Sequence, residues 1–223
     1  TYHTTAPPSC AKNHITVGAL NSNDDSITSF TSWGPADDGR IKPDIAAPGC
    51  QSDDDLGVTS TAPYGGYSTK CGTSMATPTV TGLSALLIQD YRERYPNRPM
   101  FLSSTLKALL AHTAEDVAAQ GPDYQSGYGS VRIVAAIDQL RTEDFFEAEV
   151  AQGDVRQSLI VVPANTPELR VTIAWDDYPA VPNAVPSLVN DIDLRVIDPQ
   201  GTTHFPWTLD PLVPAAPAVR TVP

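Results

Sequence analysis

The spacing of apolar and polar positions changes character once along this chain, near residue 140. Upstream, short apolar runs alternate with stretches of helical period, the pattern of an α/β fold. Residues 15–20 and 41–46 read as strands. Residues 75–91 read as a helix around an apolar segment at 80–87, and Pro78 suits its first turn, where a missing N–H costs nothing. A second helix is expected over 103–113, with Leu106, Leu109 and Leu110 at helical spacing behind a serine cap. A third covers 131–140, with Ile133, Val134, Ile137 and Leu140 on one face.

Beyond a charged link at 141–144 the pattern becomes alternation broken by turns. Strands are expected over 158–162, 169–175 and 191–197, separated by Pro, Asn and Gly stretches at 179–186 and 198–201. This predicts an all-β module of sandwich or jelly-roll type over 145–223, following an α/β unit over 1–140. So few strands do not cover both faces of a sandwich, so the module is expected to be incomplete. Trp175 and Trp207 are expected among its core aromatics.

Composition narrows the partners. At 41% hydrophobic and 18% charged residues, the 223-residue chain is globular rather than disordered. Fourteen basic against 26 acidic residues give a formal charge of −12, which argues against nucleic acid or an anionic membrane. No apolar run reaches the roughly eighteen residues of a membrane span. An acidic, lysine-poor surface suits a secreted, soluble protein, and the run Asp53-Asp54-Asp55 reads as a solvated loop. Three cysteines, Cys10, Cys50 and Cys71, are too few for a disulfide scaffold and lack the paired spacing of a thiolate metal site. Asp191 and Asp193 alternate on one expected strand and share a face, with Asn190 beside them. Oxygen donors grouped in this way suit Ca²⁺, with Asp176 and Asp177 able to add ligands, and they equally suit the capping of turn N–H groups.

The string Gly72-Thr73-Ser74-Met75-Ala76-Thr77-Pro78 carries the chemistry. A turn of small residues delivers Ser74 to the start of the 75–91 helix, where free backbone N–H groups and the helix dipole stabilise an anion. An acyl-transfer nucleophile wants that setting, because its own N–H helps hold the oxyanion. Ser and Thr before a helix also serve as ordinary caps. The full string resembles the nucleophile motif of the subtilisin-like serine proteases, the subtilases. Further segments are similar to that family's, in its order: Ala11-Lys12-Asn13-His14-Ile15-Thr16-Val17-Gly18-Ala19, Ser29-Phe30-Thr31-Ser32-Trp33-Gly34-Pro35, Lys42-Pro43-Asp44-Ile45-Ala46-Ala47-Pro48-Gly49, and Ser126-Gly127-Tyr128-Gly129-Ser130-Val131. The strings at 188–194 and 204–211 resemble the β-domain that follows the catalytic domain in a group of bacterial subtilases.

The resemblance implies a partial subtilisin-like three-layer parallel sheet, with Ser74 as nucleophile and Thr73 and Gly72 in the oxyanion turn. It brings the loops of Cys50 and Cys71 together, so a disulfide between them is plausible, beside two separately buried thiols. It also makes a structural Ca²⁺ at Asp191, Asp193 and Asn190 a natural expectation. In the family the triad Asp and His precede the serine; their motifs, and the oxyanion asparagine segment, are absent from residues 1–73. His3, His14, His112 and His204 have none of the family's neighbours. The chain is therefore expected to be the C-terminal part of a catalytic domain plus part of the next domain. Its implied function is secreted serine endopeptidase acting on proteins or peptides, inactive alone and partnered by an N-terminal part of the catalytic domain. The alternative is a non-catalytic binding or structural module keeping a relict serine motif.

Overall fold

The computed structural model describes residues 1–52 and 56–222. Asp53, Asp54 and Asp55, the expected acidic loop, lie outside the described residues.

Two strands, β1 (Val17–Asn21) and β2 (Ile45–Cys50), pair in parallel, with Val17 opposite Ile45 and Leu20 opposite Pro48. An isolated bridge between Ala46 and Ser130 adds a third parallel contact to β2. The first four residues of β1 are all buried, as expected for a parallel strand covered on both faces. β2 begins four residues later than its apolar pattern implies. Pro43 has no N–H for a ladder, and its neighbours turn their charges onto each other instead. Lys42 Nζ lies 2.7 Å from Asp44 Oδ2, and Asp44 also accepts the Thr16 N–H at 2.7 Å and pairs with Lys107 at 2.7 Å. Burial pulls the Lys42 ammonium below its ordinary pKa while Asp44 opposes that pull.

The long helix α1 (Thr73–Arg94) buries Ala76, Val80, Leu87 and Tyr91, one stripe along its length, and packs that stripe on β1 and β2. Helix α2 (Ser103–Thr113) packs against α3 (Ile133–Thr142), which also meets α1. Ala19, Ala47, Ala76, Leu87, Leu110, Ala136 and Leu140 are fully buried in the shared core. α3 starts two residues after its expected first residue, and α2 matches its expected span. A hairpin of β3 (Val58–Thr61) and β4 (Tyr67–Lys70) rises between β2 and α1.

The second half departs from expectation. Among the described residues beyond α3, regular structure is limited to four two-residue strands in two antiparallel pairs. β5 (Val196–Ile197) pairs with β6 (Thr203–His204), and β7 (Trp207–Thr208) pairs with β8 (Val219–Arg220). No sandwich forms there, and 158–162 and 169–175 carry no ladder. The reason lies in burial: Leu159, Val161 and Val155 are 96%, 84% and 82% exposed, so their alternation meets no facing layer. At 191–197 the alternation survives in burial alone. Ile192, Leu194 and Val196 are half-buried between exposed Asp191, Asp193, Arg195 and Ile197, yet only the last two of these seven residues gain a strand partner. Trp175 and Trp207 are half-buried, Trp175 donating to Asn190 O at 3.0 Å.

Polar contacts hold this half to the first. Asp177 is 5% exposed and accepts hydrogen bonds from Lys12 Nζ, from the N–H groups of Val189 and Asn190 at 3.0 and 2.9 Å, and from the Asn190 side-chain amide at 2.9 Å. Asn13 completes the junction by bonding both backbone groups of Asp177 at 3.0 Å. Burial alone would raise the Asp177 pKa; the donors outweigh it and hold the carboxyl down at about 2, against an ordinary 3.8. A carboxylate depressed in this way contributes stability above its unfolded pKa and loses it as pH falls through the folded value. Thermal melts of the wild-type chain should therefore lose an Asp177-dependent increment between about pH 4 and pH 2. The Asp177→Asn variant should melt lower at pH 7 and show a shallower acid limb across that window. Parallel acid limbs for the two proteins would remove Asp177 from the account.

Candidate active site

The site is built where β2 ends and α1 begins. Gly72 is the N-cap of α1, with φ 154° and ψ 159°, a conformation open essentially to glycine alone. Its N–H donates to Gly49 O at 2.9 Å, seating the turn on the end of β2. Gly49 is needed for this approach: a Cβ there would stand 2.7 Å from Gly72 O, 2.8 Å from the Ala19 Cβ and 3.2 Å from the Ala76 Cβ. One residue upstream of Gly72, Cys71 is joined to Cys50 by a disulfide, with Cα atoms 4.5 Å apart.

Ser74 is the second residue of α1 and is exposed. α1 has no side-chain cap, so the serine is not spent on the ordinary capping role. Among the described residues its hydroxyl makes no hydrogen bond. The first helix amide used internally is that of Met75, which bonds Gly72 O at 2.9 Å. The N–H groups of Thr73 and Ser74 are thus left at the positive end of a 22-residue helix, with no acidic residue in its first turn. Pro78 lies inside α1, further along than the first-turn position read from the sequence, because the helix starts at Thr73. It consequently supplies no N–H to the Ser74 carbonyl, one turn before it.

The histidines do not converge on this serine. His112 Nδ1 lies 2.9 Å from Thr172 Oγ1, and burial pushes the imidazole below its ordinary pKa. His204 Nε2 lies 3.1 Å from Asp198 Oδ2. His3 and His14 are exposed, and the His14 carbonyl accepts from Lys42 at 3.1 Å. The expected calcium donors lie along 190–193. The Asn190 amide is turned to Asp177, and Asp193 lies 3.7 Å from Arg195. Asp191 is exposed, and no group of three or more His, Cys, Asp or Glu side chains placed to share a metal occurs among the described residues.

Comparison with known proteins decides the kinship of the site. The sequence profile described as the Subtilase family matches residues 2–129, more than half of the chain and the whole of the Ser74 region. The chain belongs to the subtilase family. It is 36% identical over 111 residues to a C5a peptidase of Streptococcus pyogenes, covering 47% of this chain and 9% of that protein. It is 39% identical over 108 residues to the serine protease AprX of Bacillus subtilis, covering 42% of this chain and 24% of that one. The solved structure of the CspB protease of Clostridium perfringens superposes with a TM-score of 0.56 at 29% identity, over 64% of this chain and 30% of that one. The chain thus spans a minor share of the length of each of these proteases.

Sequence reading found Gly72, Thr73 and Ser74 but passed over Gly49 as a positioning residue. A glycine ending an otherwise apolar strand was the available signal, since such residues mark close backbone approach. Two glycine substitutions test the geometry of this subtilase turn in opposite directions. Gly49→Val should destabilise the chain by about 1–3 kcal/mol through overpacking. Gly82→Ala, on a face of α1 where a new Cβ meets nothing within 4 Å, should stabilise it by up to about 1 kcal/mol. Urea unfolding midpoints of both variants measure the difference, and a tolerated Gly49→Val would show that β2 and α1 are less tightly apposed.

Proposed function

We propose that this chain carries the nucleophile of a subtilase serine endopeptidase, with Ser74 attacking the substrate's peptide carbonyl. The observation that carries this reading is an exposed, uncapped serine hydroxyl at the N-terminal turn of α1, beside free backbone N–H groups. In the reaction a general base takes the Ser74 proton as Oγ bonds to the carbonyl carbon. The resulting oxyanion accepts hydrogen bonds from the free N–H groups of Thr73 and Ser74. The amine then leaves with a proton, and water hydrolyses the acyl-enzyme, returning the serine. The base, its orienting carboxylate and the oxyanion asparagine come from polypeptide outside these 223 residues. Protein or peptide chains are the substrates. Secretion fits the exposed Cys50–Cys71 bond, since such disulfides persist in oxidising compartments. The named proteases among the relatives favour this reading over a relict module.

The test is kinetic. Alone, the 223-residue chain should hydrolyse a peptide p-nitroanilide no faster than its Ser74→Ala variant, because no imidazole activates the hydroxyl. In a longer polypeptide supplying the His and Asp segments, hydrolysis should appear and fall to background with Ser74→Ala. Hydrolysis by the longer polypeptide that survives Ser74→Ala would overturn the assignment.

A further inference from the structure

The chain leaves the sheet after Cys50, the end of β2, and returns at Cys71, immediately before the nucleophile turn. The Cys50–Cys71 disulfide closes this excursion at its base. Inside it stands the β3–β4 hairpin, whose Tyr64 and Tyr67 are 109% and 78% exposed. Cys50 is the last residue of β2, and Cys71 lies three residues before Ser74. Beside the packing of Gly49 on Ala76, the disulfide and the hydrogen bond from Gly72 N–H to Gly49 O tie the nucleophile turn to β2. Cys71 alone separates the end of β4 at Lys70 from Gly72. Cys71 is exposed and Cys50 half-buried, so the bond is open to attack from solvent.

We propose that the Cys50–Cys71 disulfide is a positioning bond for Ser74 that a dithiol reductant can release. This rests on the reading of Ser74 as nucleophile. Intact, the bond isolates the turn from the hairpin; reduced, it couples the two and loosens the amides that would hold the oxyanion. In the step itself one thiolate of the dithiol attacks a cystine sulfur, the Cys50–Cys71 S–S bond breaks and a mixed disulfide forms. The second thiolate then closes the donor's own disulfide. The protein gains two electrons and two protons as two thiols, and the donor loses the same. The bond adds a control on the site that the serine motif itself does not contain.

Hydrogen exchange read by mass spectrometry on the full 223-residue chain tests this, comparing the oxidised protein with protein held in dithiothreitol. The bonded amides of Gly72, Met75 and Ala76 should exchange about tenfold faster after reduction, while α3 keeps its protection. A Cys50→Ser/Cys71→Ser variant should reproduce the reduced pattern without reductant. If faster exchange is confined to 57–70 and the turn is unmoved, the bond merely staples the hairpin and the proposal fails. It fails equally if α3 loosens in step with the turn, which would mark a global effect. A longer polypeptide lacking Ser74-dependent hydrolysis would count against the protease reading while leaving this exchange result standing.

Discussion

The position of Ser74 depends on how closely the end of β2 approaches the first turn of α1. Ala19, Ala47, Gly49 and Ala76 line that contact, and their small side chains let backbone lie nearly against backbone. The approach fixes the Gly72 carbonyl and amide, and these set the axis along which α1 starts. The longer apolar side chains along α1, Val80, Leu87 and Tyr91, then anchor the helix to the core further from the site. Tyr91 extends the anchorage, meeting Phe101 edge-on at 5.0 Å and donating to Pro99 O at 2.9 Å. Packing thus secures the helix, and glycine stereochemistry aims its first turn.

On the proposed reading of Ser74 as nucleophile, the site holds half of an acyl-transfer machine. A serine hydroxyl is a poor nucleophile until a base removes its proton, and general-base assistance contributes on the order of 10²–10⁴ in rate. On that reading the anion-stabilising half is backbone and needs no titratable group, being the N–H groups at the start of α1. The base is a side chain that must be brought within hydrogen-bond reach from another segment. His112 and His204 spend their ring nitrogens on Thr172 and Asp198.

The legible parts of the sequence were those whose signal is local. α2 follows its leucine spacing, although its N-cap is Leu102 and the expected serine cap does not form, Ser103 Oγ donating to Asp176 at 2.9 Å instead; the Gly72-Thr73-Ser74 string announces a turn entering a helix. The start of β2 was misplaced because a buried Lys42–Asp44 pair and Pro43 occupy positions that an apolar count assigns to a strand. Beyond residue 145 the alternation was real but not sufficient. Strands need partners as well as pattern, and Leu159 and Val161 have no covering layer among the described residues. Asp191 and Asp193 share a spacing that suits metal ligands, while the Asn190 side-chain N–H reaches back to Asp177, a contact that no spacing reveals. The Asp177 junction was likewise invisible, since it joins residues more than 160 positions apart.

The central claim is that Ser74 is a correctly placed nucleophile awaiting a base. The most direct measurement is covalent labelling by a fluorophosphonate, followed by peptide mapping, on the 223-residue chain and on a polypeptide extended to include the His and Asp segments. The account predicts modification at Ser74 in the extended protein and negligible labelling in the chain alone. Rapid Ser74 labelling of the isolated chain, or an extended protein modified elsewhere, would contradict it.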